Sequence, residues 1–295
     1  MNNIAIVIPA YKDRFLEDTL NSLIKQNMSD CIIYLFDDNS PYNIQNIYEQ
    51  YKEQLPIIYH RFEENMGGRS LSEHWNRCID FIEPVKWVWL FSDDDIMCDG
   101  CFENVAKAIC EYNSEYDVFH INGDVVNNDL EHLNWSNIGY FPIFLSPADY
   151  IRTIFSGKDN TWGINFIVRY EVMKAKGGFV NFDLAWNADR ASWLNFSYPK
   201  GIRTIENAKV LWRYSGENIS SLRKDIEVQK RKAYARIEFL SWINDFIVRN
   251  RIGRIRVGWI NKFKYVLKCF RSNLNIGFME DIVILLRSIK QVLAI

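Results

Sequence analysis

The sequence lacks the features that mark membrane-spanning and exported proteins. No run approaches the roughly 20 apolar residues that a membrane-spanning helix needs, and the apolar stretch from Ile138 to Ala148 is interrupted by Gly139 and Pro142. The first residues, MNNIAIVIPAY, have neither the basic segment nor the long apolar run of a secretory signal peptide, and they predict a strand. These absences predict a cytoplasmic location.

Several chemistries are also excluded because their parts are missing. The 35 basic and 37 acidic residues nearly cancel, so no overall charge favours nucleic acid as a partner. There is neither a Gly-x-x-x-x-Gly-Lys-Ser/Thr phosphate loop nor a Gly-x-Ser-x-Gly nucleophile elbow. Cys98 and Cys101 form one Cys-x-x-Cys pair with no second pair at a fitting distance, so we expect reduced thiols rather than zinc ligands.

Strand and helix patterns alternate over the first hundred residues. Apolar runs of strand length (IAIVIPAY, CIIYLFDD, LPIIYHRF and KWVWLFSDDD) are interspersed with stretches of helical spacing (FLEDTLNSLIKQ and SLSEHWNRCIDFI). This rhythm predicts an α/β protein with a Rossmann-like, mostly parallel sheet flanked by helices. Further along, YDVFHINGDVV and NTWGINFIVR are predicted strands, and Ser146 followed by Pro147 predicts the start of a helix.

Three consecutive carboxylates, Asp93, Asp94 and Asp95, follow the fourth apolar run. Open sheets bind ligands at the carboxyl ends of their parallel strands, so these acids should converge with Tyr11 and Asp38 on one crevice. Neighbouring carboxylates raise one another's pKa, whereas a divalent cation stabilises their ionised forms. The cluster therefore predicts an Mg²⁺ or Mn²⁺ site that neutralises a leaving diphosphate. A solvated acidic turn is the alternative interpretation.

The order of these motifs resembles the family 2 glycosyltransferases of the GT-A fold, including bacterial surface-polysaccharide and spore-coat enzymes. That family has Pro-x-Tyr-Asn after the first strand, Asp-Asp-Gly-Ser after the second and Asn-x-Gly before a helix. The counterparts here are Pro9-Ala10-Tyr11-Lys12, Asp37-Asp38-Asn39-Ser40 and Asn65-Met66-Gly67. The resemblance implies a GT-A domain at residues 1–222 and a basic helical C-terminal region at residues 223–295. Within the domain, residues 1–100 would bind the nucleotide sugar and residues 101–222 the acceptor.

The resemblance also implies a set of nucleotide-binding residues near the ends of the first strands. These are Pro9, Tyr11, Asp38, Gly67, Arg69 and Asp93. Asp38 would accept a hydrogen bond from the base, a role that suits an ionised carboxylate because it has acceptor oxygens only. The alternative for Asp38 is an ordinary turn at the end of a strand.

Metal and catalytic residues follow from the same resemblance. Asp94 and Asp95 are the implied metal ligands, and Asp189, which follows the Gly-Gly-Phe at residues 177–179, is the implied catalytic base. In an inverting transfer this carboxylate takes the proton of the acceptor hydroxyl. The alternative for Asp189 is a helix cap or an ion pair with Arg190.

Three positions depart from the family pattern. Ser92 stands where the family's Asp-x-Asp-Asp has its first acid, Ala188 replaces a glutamate beside the base, and Ser215 stands where a histidine often binds the metal. Arg213 and Arg223 could hold the diphosphate instead, since a guanidinium suits phosphate. A non-catalytic module that binds nucleotide sugars is therefore the alternative to an active enzyme.

The predicted function is inverting transfer from a nucleotide diphosphate sugar, UDP-linked by preference, to a hydroxyl of a glycan or lipid-linked acceptor. Bacterial polysaccharide or lipopolysaccharide synthesis is the expected setting. From Arg223 to Arg271 the chain has 14 basic and four acidic residues, interleaved with apolar ones, which predicts peripheral contact with the inner face of the cell membrane. A solvated appendage and a homodimer contact are the alternatives. Five tryptophans are expected mainly in the core, with one or two as sugar-stacking platforms: Trp135, Trp162, Trp186, Trp193 and Trp212.

Overall fold

The computed structural model describes residues 3–134, 139–157, 160–222, 224–253 and 278–294, together with residues 255, 262 and 265. The strands in these ranges are β1 (Ile4–Ala10), β2 (Cys31–Asp37), β3 (Ile57–Arg61), β4 (Trp87–Leu90), β5 (Ile96–Met97), β6 (Val118–His120), β7 (Gly123–Val126), β8 (Phe144–Leu145), β9 (Phe166–Arg169), β10 (Ile202–Thr204) and β11 (Val210–Arg213). The α-helices with both ends in these ranges are α1 (Leu16–Ile24), α2 (Ile44–Tyr51), α3 (Leu71–Phe81), α4 (Cys101–Tyr112), α5 (Pro147–Ser156), α6 (Tyr170–Ala175), α7 (Ala188–Ser197), α8 (Ile226–Arg249) and α9 (Phe278–Ala294).

An eight-stranded sheet in the order β3-β2-β1-β4-β9-β6-β10-β8 forms the centre of the fold. The strands β3, β2, β1 and β4 are parallel to one another. The strand β9 is antiparallel to both β4 and β6, β10 is parallel to β6, and the edge strand β8 is antiparallel to β10. The predicted α/β architecture, with a mostly parallel sheet and flanking helices, is therefore confirmed.

The central strands are apolar on both faces because helices cover both sides of the sheet. Alternate residues of β1 belong to two separate cores. Ala5 and Val7 pack in one core with α3, α5 and α7, whereas Ile4, Ile6 and Ile8 pack in the other with α1 and α4. The strand ends, rather than the faces, are therefore where this sheet can contact a ligand.

A second sheet, in the order β5-β11-β7, takes part of a segment that we predicted as one strand. The pattern YDVFHINGDVV divides into β6 in the large sheet and β7 in the small one. At the break, the buried Asn160 side chain accepts from the Gly123 amide at 3.0 Å and donates to the Gly123 carbonyl at 2.8 Å. The single-strand prediction is wrong because a buried asparagine side chain here takes the place of a neighbouring strand.

Local capping explains where one predicted helix begins. Ser146 accepts a hydrogen bond from the Asp149 amide, and Pro147 occupies the first turn, which confirms the predicted start of α5. The pattern NTWGINFIVR is only partly a strand, since β9 begins at Phe166 after a short 3-10 turn. The sequence patterns also missed α2.

The C-terminal helices α8 and α9 pack on the rest of the fold. Phe239, Leu240 and Ile243 of α8 are buried in the same core as α7. On α9, the Gln291 carbonyl accepts a hydrogen bond from Asn244 of α8 at 3.0 Å. In the described ranges, no helix is both long and apolar enough to span a bilayer. Most of the basic segment between α8 and α9 lies outside the described residues, and the domain division at residue 222 stays a prediction.

Asn160 provides a test of the break between β6 and β7. Its replacement by alanine leaves the buried amide and carbonyl of Gly123 without their partner, and each unsatisfied group costs about 1–3 kcal/mol. We expect Asn160→Ala to lower the free energy of unfolding, measured in urea, by about 3 kcal/mol. The exposed Asn46→Ala should change it by less than about 0.5 kcal/mol. Equal effects of the two substitutions would contradict this explanation of the break.

Candidate functional site

The acidic loop, defined as Asp93 to Asp95, follows β4 and lies beside the end of β1, because the two strands pair in parallel. One Asp93 oxygen, Oδ2, accepts hydrogen bonds from the backbone amides of Tyr11 at 2.9 Å and Lys12 at 3.0 Å. The carboxylate of Asp93 therefore fastens the acidic loop to the residues that follow β1.

Asp95 is fully buried and points into the fold. Its Oδ1 accepts a hydrogen bond from the backbone amide of Arg213 at 2.8 Å, and its Oδ2 is buried without a partner among the described residues. Burial, followed by the charge of Asp94, raises the pKa of Asp95 well above its ordinary value. The protonated form is thus favoured in the folded protein.

Asp94, like Asp93, is a partly exposed residue of the loop, whereas Asp95 is buried. Burial, followed by repulsion from Asp93, raises the pKa of Asp94 to about 7. The positive charges of Lys12 and Arg213 and the nearby Ser215 side chain lower the pKa and offset part of this rise. The Ser215 hydroxyl thus lies beside Asp94, at the position where the family resemblance implies a metal-binding histidine.

Arg213 does not have the exposed position that a diphosphate-binding residue needs. Its side chain is fully buried. The Nε donates to the Asp94 carbonyl at 2.8 Å, Nη2 contacts Asp18 Oδ2 at 2.9 Å, and the guanidinium lies 4.1 Å from the centre of the Phe15 ring. The suggestion that Arg213 holds the diphosphate is therefore corrected to a structural role, while Arg223 lies outside the described residues.

A divalent cation fits this loop in its chemistry but only partly in the number of ligands. Carboxylate oxygens are the ligands that Mg²⁺ and Mn²⁺ prefer. Within the described ranges, however, no three His, Cys, Asp or Glu side chains are grouped so that they could hold a metal. Asp93 and Asp94 are both partly exposed, but Asp93 Oδ2 is already bonded to two backbone amides, so phosphate oxygens and water would have to complete a ligand set around Asp94. The assignment of Asp94 and Asp95 as metal ligands stays a prediction.

Asp38, the predicted base-binding residue, is buried at the end of β2 and organises the loop before α3. Its Oδ1 accepts from the Met66 amide at 2.9 Å and from Arg77 at 2.5 Å, and its Oδ2 accepts from the Gly67 amide at 2.7 Å. A carboxylate has about four acceptor positions, so three of them are occupied by the protein. A Cβ at Gly67 would lie 2.7 Å from Asp38 Oδ2, which explains the need for glycine there.

The other predicted nucleotide-binding residues differ in exposure. Pro9 is half-buried within β1, opposite Phe36 of β2. Tyr11 is 39% exposed as a whole residue, and its ring makes an edge contact with Tyr42 at 6.2 Å between ring centres. Arg69 is exposed and forms an ion pair with Glu64 at 2.8 Å. The structure thus places Tyr11 beside the acidic loop, and the nucleotide-binding roles stay predictions.

Asp189 lies in the first turn of α7, after a segment with unusual backbone geometry. Leu184, Ala185 and Asn187 have positive φ angles of 56°, 49° and 68°. Such conformations cost of order 1–3 kcal/mol each for residues other than glycine, and they concentrate at functional sites. The Arg190 amide donates to Asp189 Oδ1 at 2.8 Å, and the Arg190 guanidinium donates to Asn187 Oδ1 at 2.8 Å. The folded chain therefore fixes the orientation of the predicted base.

The tryptophans divide between the core and partly exposed positions. Trp193 is buried, as expected. Trp162 and Trp212 are half-buried and stack face to face, with ring centres 5.1 Å apart. Trp186 is half-buried under the Lys232 ammonium, which lies 4.6 Å from the ring centre. Trp135 lies outside the described residues.

Sequence reasoning missed the partners that hold Asp38. Arg77 forms an ion pair with it at 2.5 Å, and His74 Nδ1 lies 3.5 Å from it. Burial, the largest effect, lowers the pKa of His74 to about 4, so the ring is neutral at pH 7. The signal was the spacing of His74 and Arg77, which lie three residues apart and share one face of a helix.

Comparison with known proteins identifies the family. The sequence model of Glycosyl transferase family 2 matches residues 5–175, which is more than half of the chain. The chain belongs to this family. The predictions of the family and of a glycosyltransferase enzyme are thereby confirmed.

Two curated relatives of this family 2 glycosyltransferase are similar over part of their length. A processive diacylglycerol beta-glycosyltransferase from Mycoplasma pneumoniae is 25% identical over 214 residues, which cover 65% of this chain and 61% of the relative. The minor teichoic acid biosynthesis protein GgaB from Bacillus subtilis is 26% identical over 128 residues, which cover 40% of this chain and 13% of GgaB. The chain thus spans less than two thirds of either relative.

Solved structures share the fold of this family 2 glycosyltransferase. TarS 1–349 from S. aureus, crystallised with UDP-GlcNAc, has a TM-score of 0.62 at 16% identity, covering 98% of this chain and 89% of TarS 1–349. The mannosyltransferase PcManGT from Pyrobaculum calidifontis, in complex with GDP-Man and Mn²⁺, has a TM-score of 0.54 at 11% identity, covering 96% and 78% of the two chains. These likenesses confirm the predicted GT-A fold.

The raised pKa of Asp94 predicts a pH effect on the metal-free protein. Its ordinary value is 3.8 and its value in the folded protein is about 7, so the folded state binds this proton more tightly than the unfolded chain. Stability from this group is therefore complete below about pH 4 and is lost as the pH rises to about 7. In the presence of a chelator, we expect the free energy of unfolding of the wild type minus that of Asp94→Asn to fall by about 1–2 kcal/mol between about pH 5 and pH 8. A difference that stays constant over this range would show that burial does not disfavour the ionised carboxylate.

Proposed function

We propose that this family 2 glycosyltransferase transfers a sugar, with inversion, from a UDP-linked donor to a hydroxyl of a glycan or lipid-linked acceptor. The observation that carries the proposal is the half-exposed Asp94 carboxylate at the carboxyl ends of the parallel strands, next to the Tyr11 segment. The relatives named above act on diacylglycerol or take part in teichoic acid biosynthesis, and TarS 1–349 binds UDP-GlcNAc. They favour a hexose or N-acetylhexosamine donor and a role in bacterial polysaccharide, lipopolysaccharide or glycolipid synthesis.

The nucleoside would bind between the ends of β1 and β2. Tyr11 offers an exposed ring beside Pro9 on which a base can stack, and Asp38 has one acceptor position left for a base N–H group. Gly67 lets the loop before α3 approach closely, and Arg69 is exposed near it. The proposed nucleotide site therefore consists of six residues, in which Asp93 is the link to the acidic loop: Pro9, Tyr11, Asp38, Gly67, Arg69 and Asp93.

The diphosphate would lie beside the acidic loop. Asp94, with the buried Asp95 behind it, would hold Mn²⁺ or Mg²⁺, which neutralises negative charge on the leaving diphosphate when it is bound. Asp93 would keep the loop in place through the amides of Tyr11 and Lys12. A fixed loop lets the site present its charges without reorganisation during the reaction.

Asp189 would act as the general base. Its carboxylate would take the proton from the acceptor hydroxyl while the hydroxyl oxygen forms a bond to the anomeric carbon, and the bond from that carbon to the diphosphate oxygen would break. UDP would leave with the electron pair. Attack on the face opposite the diphosphate inverts the anomeric configuration, so an α-linked donor gives a β-linked product.

Release of UDP tests the proposal directly. With a panel of UDP-sugars and Mn²⁺, we expect slow release of UDP by the wild type and a loss of at least about 100-fold in Asp94→Ala. Asp99→Ala provides a matched control, because Asp99 is an exposed acid near the same loop. In Asp189→Asn we expect UDP binding to persist while transfer falls by about 100-fold or more, whereas the exposed Asp183→Asn should retain activity.

Two outcomes would change the proposal. Tight binding of UDP without release from any donor would favour the non-catalytic nucleotide-sugar-binding module. Release that survives in Asp94→Ala would remove the acidic loop from the mechanism.

We further propose that α9 contacts an anionic membrane surface. The exposed side chains that the structure describes on α9, between residues 283 and 294, include the apolar Val283, Leu286 and Leu293 and the basic Arg287 and Lys290. Leu286 and Leu293 are 61% and 63% exposed. Apolar side chains flanked by basic ones are typical of helices that lie in the surface of an anionic bilayer.

The sequence before α9 supports the same surface. From Phe246 to Met279 the chain contains eight Lys or Arg residues and no Asp or Glu. Each basic residue near an anionic membrane contributes about 1 kcal/mol to binding, and salt weakens that contribution. A lipid-linked acceptor at the inner leaflet would then lie close to the enzyme.

Vesicle binding tests the membrane contact. We expect flotation with phosphatidylglycerol vesicles, little with phosphatidylcholine vesicles, and a loss of about 10-fold or more in Leu286→Asp/Leu293→Asp. Ile58→Asp is the control, because Ile58 is an exposed apolar residue on β3. Vesicle binding that the α9 variant leaves unchanged would contradict the proposal. So would a homodimer in solution that the same variant dissociates, since that outcome assigns the face to a second copy.

A further inference from the structure

Two cations beside the acidic loop are held by one glutamate from the segment that follows β11. Lys12 Nζ donates to the Glu217 carbonyl at 2.8 Å and lies 3.7 Å from its Oε2. Arg14 Nη1 contacts Oε1 of the same carboxylate at 2.9 Å. Glu217 therefore places an anion between Lys12 and Arg14.

This contact lies next to the residues proposed to receive the diphosphate. The Lys12 amide donates to the Asp93 carboxylate at 3.0 Å, and the charge of the Lys12 side chain offsets part of the rise in pKa that burial causes in Asp93 and Asp94. On the other side, Ser215, two residues before Glu217, lies close to Asp94, and its hydroxyl donates to Asn218 Oδ1 at 2.9 Å. Lys12 and Glu217 thus approach the acidic loop from the segments that follow β1 and β11.

A diphosphate can bind next to the acidic loop only if positive charge offsets the negative charge of the carboxylates. A diphosphate that approaches the carboxylates of Asp93 and Asp94 is repelled by like charge, and Asp94 is the proposed metal ligand of the loop. The family pattern has asparagine where this chain has Lys12, while Ser92 and Ser215 stand where the pattern has an acid and a histidine. The chain therefore adds a positive side chain at the site where it lacks two metal-binding groups.

We propose that Lys12 and Arg14 bind the diphosphate of the donor. When no donor is present, the Glu217 carboxylate forms ion pairs with both side chains in its place. The inference rests on the proposed nucleotide-sugar function. Lys12, Arg14 and Glu217 keep 39%, 53% and 39% of their side-chain surface exposed. Exposed ion pairs contribute about 0–1 kcal/mol, so a diphosphate with two or more charges can displace the single carboxylate of Glu217.

Nucleotide binding without metal tests this assignment. Titration calorimetry with UDP in the presence of a chelator should show a loss of affinity of about 10-fold in Lys12→Asn and a gain of about 3-fold in Glu217→Gln. Lys12→Arg should keep at least half of the wild-type affinity. Uridine, which has no phosphate, should bind the wild type, Lys12→Asn and Glu217→Gln with equal affinity.

The opposite signs separate ligand binding from a structural role. If Glu217 served only to fasten the two segments, both Lys12→Asn and Glu217→Gln would weaken UDP binding, and the proposal would fail. Lys52→Asn and Glu49→Gln are matched controls, because these residues form an ion pair of similar exposure at 2.7 Å on α2. UDP binding that is unchanged in every variant overturns the role of Lys12 and leaves the proposed function standing. A wild type that binds neither UDP nor uridine overturns both.

Discussion

The candidate site depends on the hydrogen bonds of one buried residue, Arg213. Its backbone amide bonds to the Asp95 carboxylate, its Nε bonds to the Asp94 carbonyl, and its Nη2 contacts Asp18 on α1. A charged group without exposure is tolerated only when such partners satisfy it. These contacts hold the acidic loop between α1 and β11. As a result Asp95 is turned inward, and Asp94 remains half-exposed at the strand ends.

Much of the fold could be predicted from local patterns, because strand periodicity and helix capping depend on neighbouring residues. The parallel strands that end at Ala10, Asp37 and Leu90 and the position of the acidic loop follow from such patterns. The separate directions of the three carboxylates could not be predicted. Asp93 bonds to the Tyr11 and Lys12 amides and Asp95 to the Arg213 amide, and these partners lie far away in the sequence.

Buried polar side chains account for the largest difference between the predicted and observed strands. Asn160 satisfies both backbone groups of Gly123, so β6 can end and β7 can join another sheet without leaving unpaired groups. The sequence pattern gives no sign that Asn160, 37 residues after Gly123, will bond to its backbone in place of a neighbouring strand. The same limit applies to Arg77, which contacts Asp38 only because α3 packs beside β2.

The site combines few metal-binding side chains with additional positive ones. Ser92 and Ser215 lower the pKa of Asp95 and Asp94, respectively, against the larger effect of burial, so both serines lie close to the acidic loop where the family pattern has metal-binding groups. Lys12 lies on the solvent side of this loop and Arg213 on the buried side. The proposed nucleotide diphosphate would suit a partly exposed acid, the proposed divalent cation and a lysine in one place.

A crystal structure of the protein soaked with UDP and Mn²⁺ tests this central claim most directly. The account predicts a nucleotide across the ends of β1 and β2, with its diphosphate between Asp94 and Lys12 and with the Glu217 carboxylate displaced. A nucleotide bound elsewhere, with the Asp94 side chain directed into bulk solvent, would contradict it.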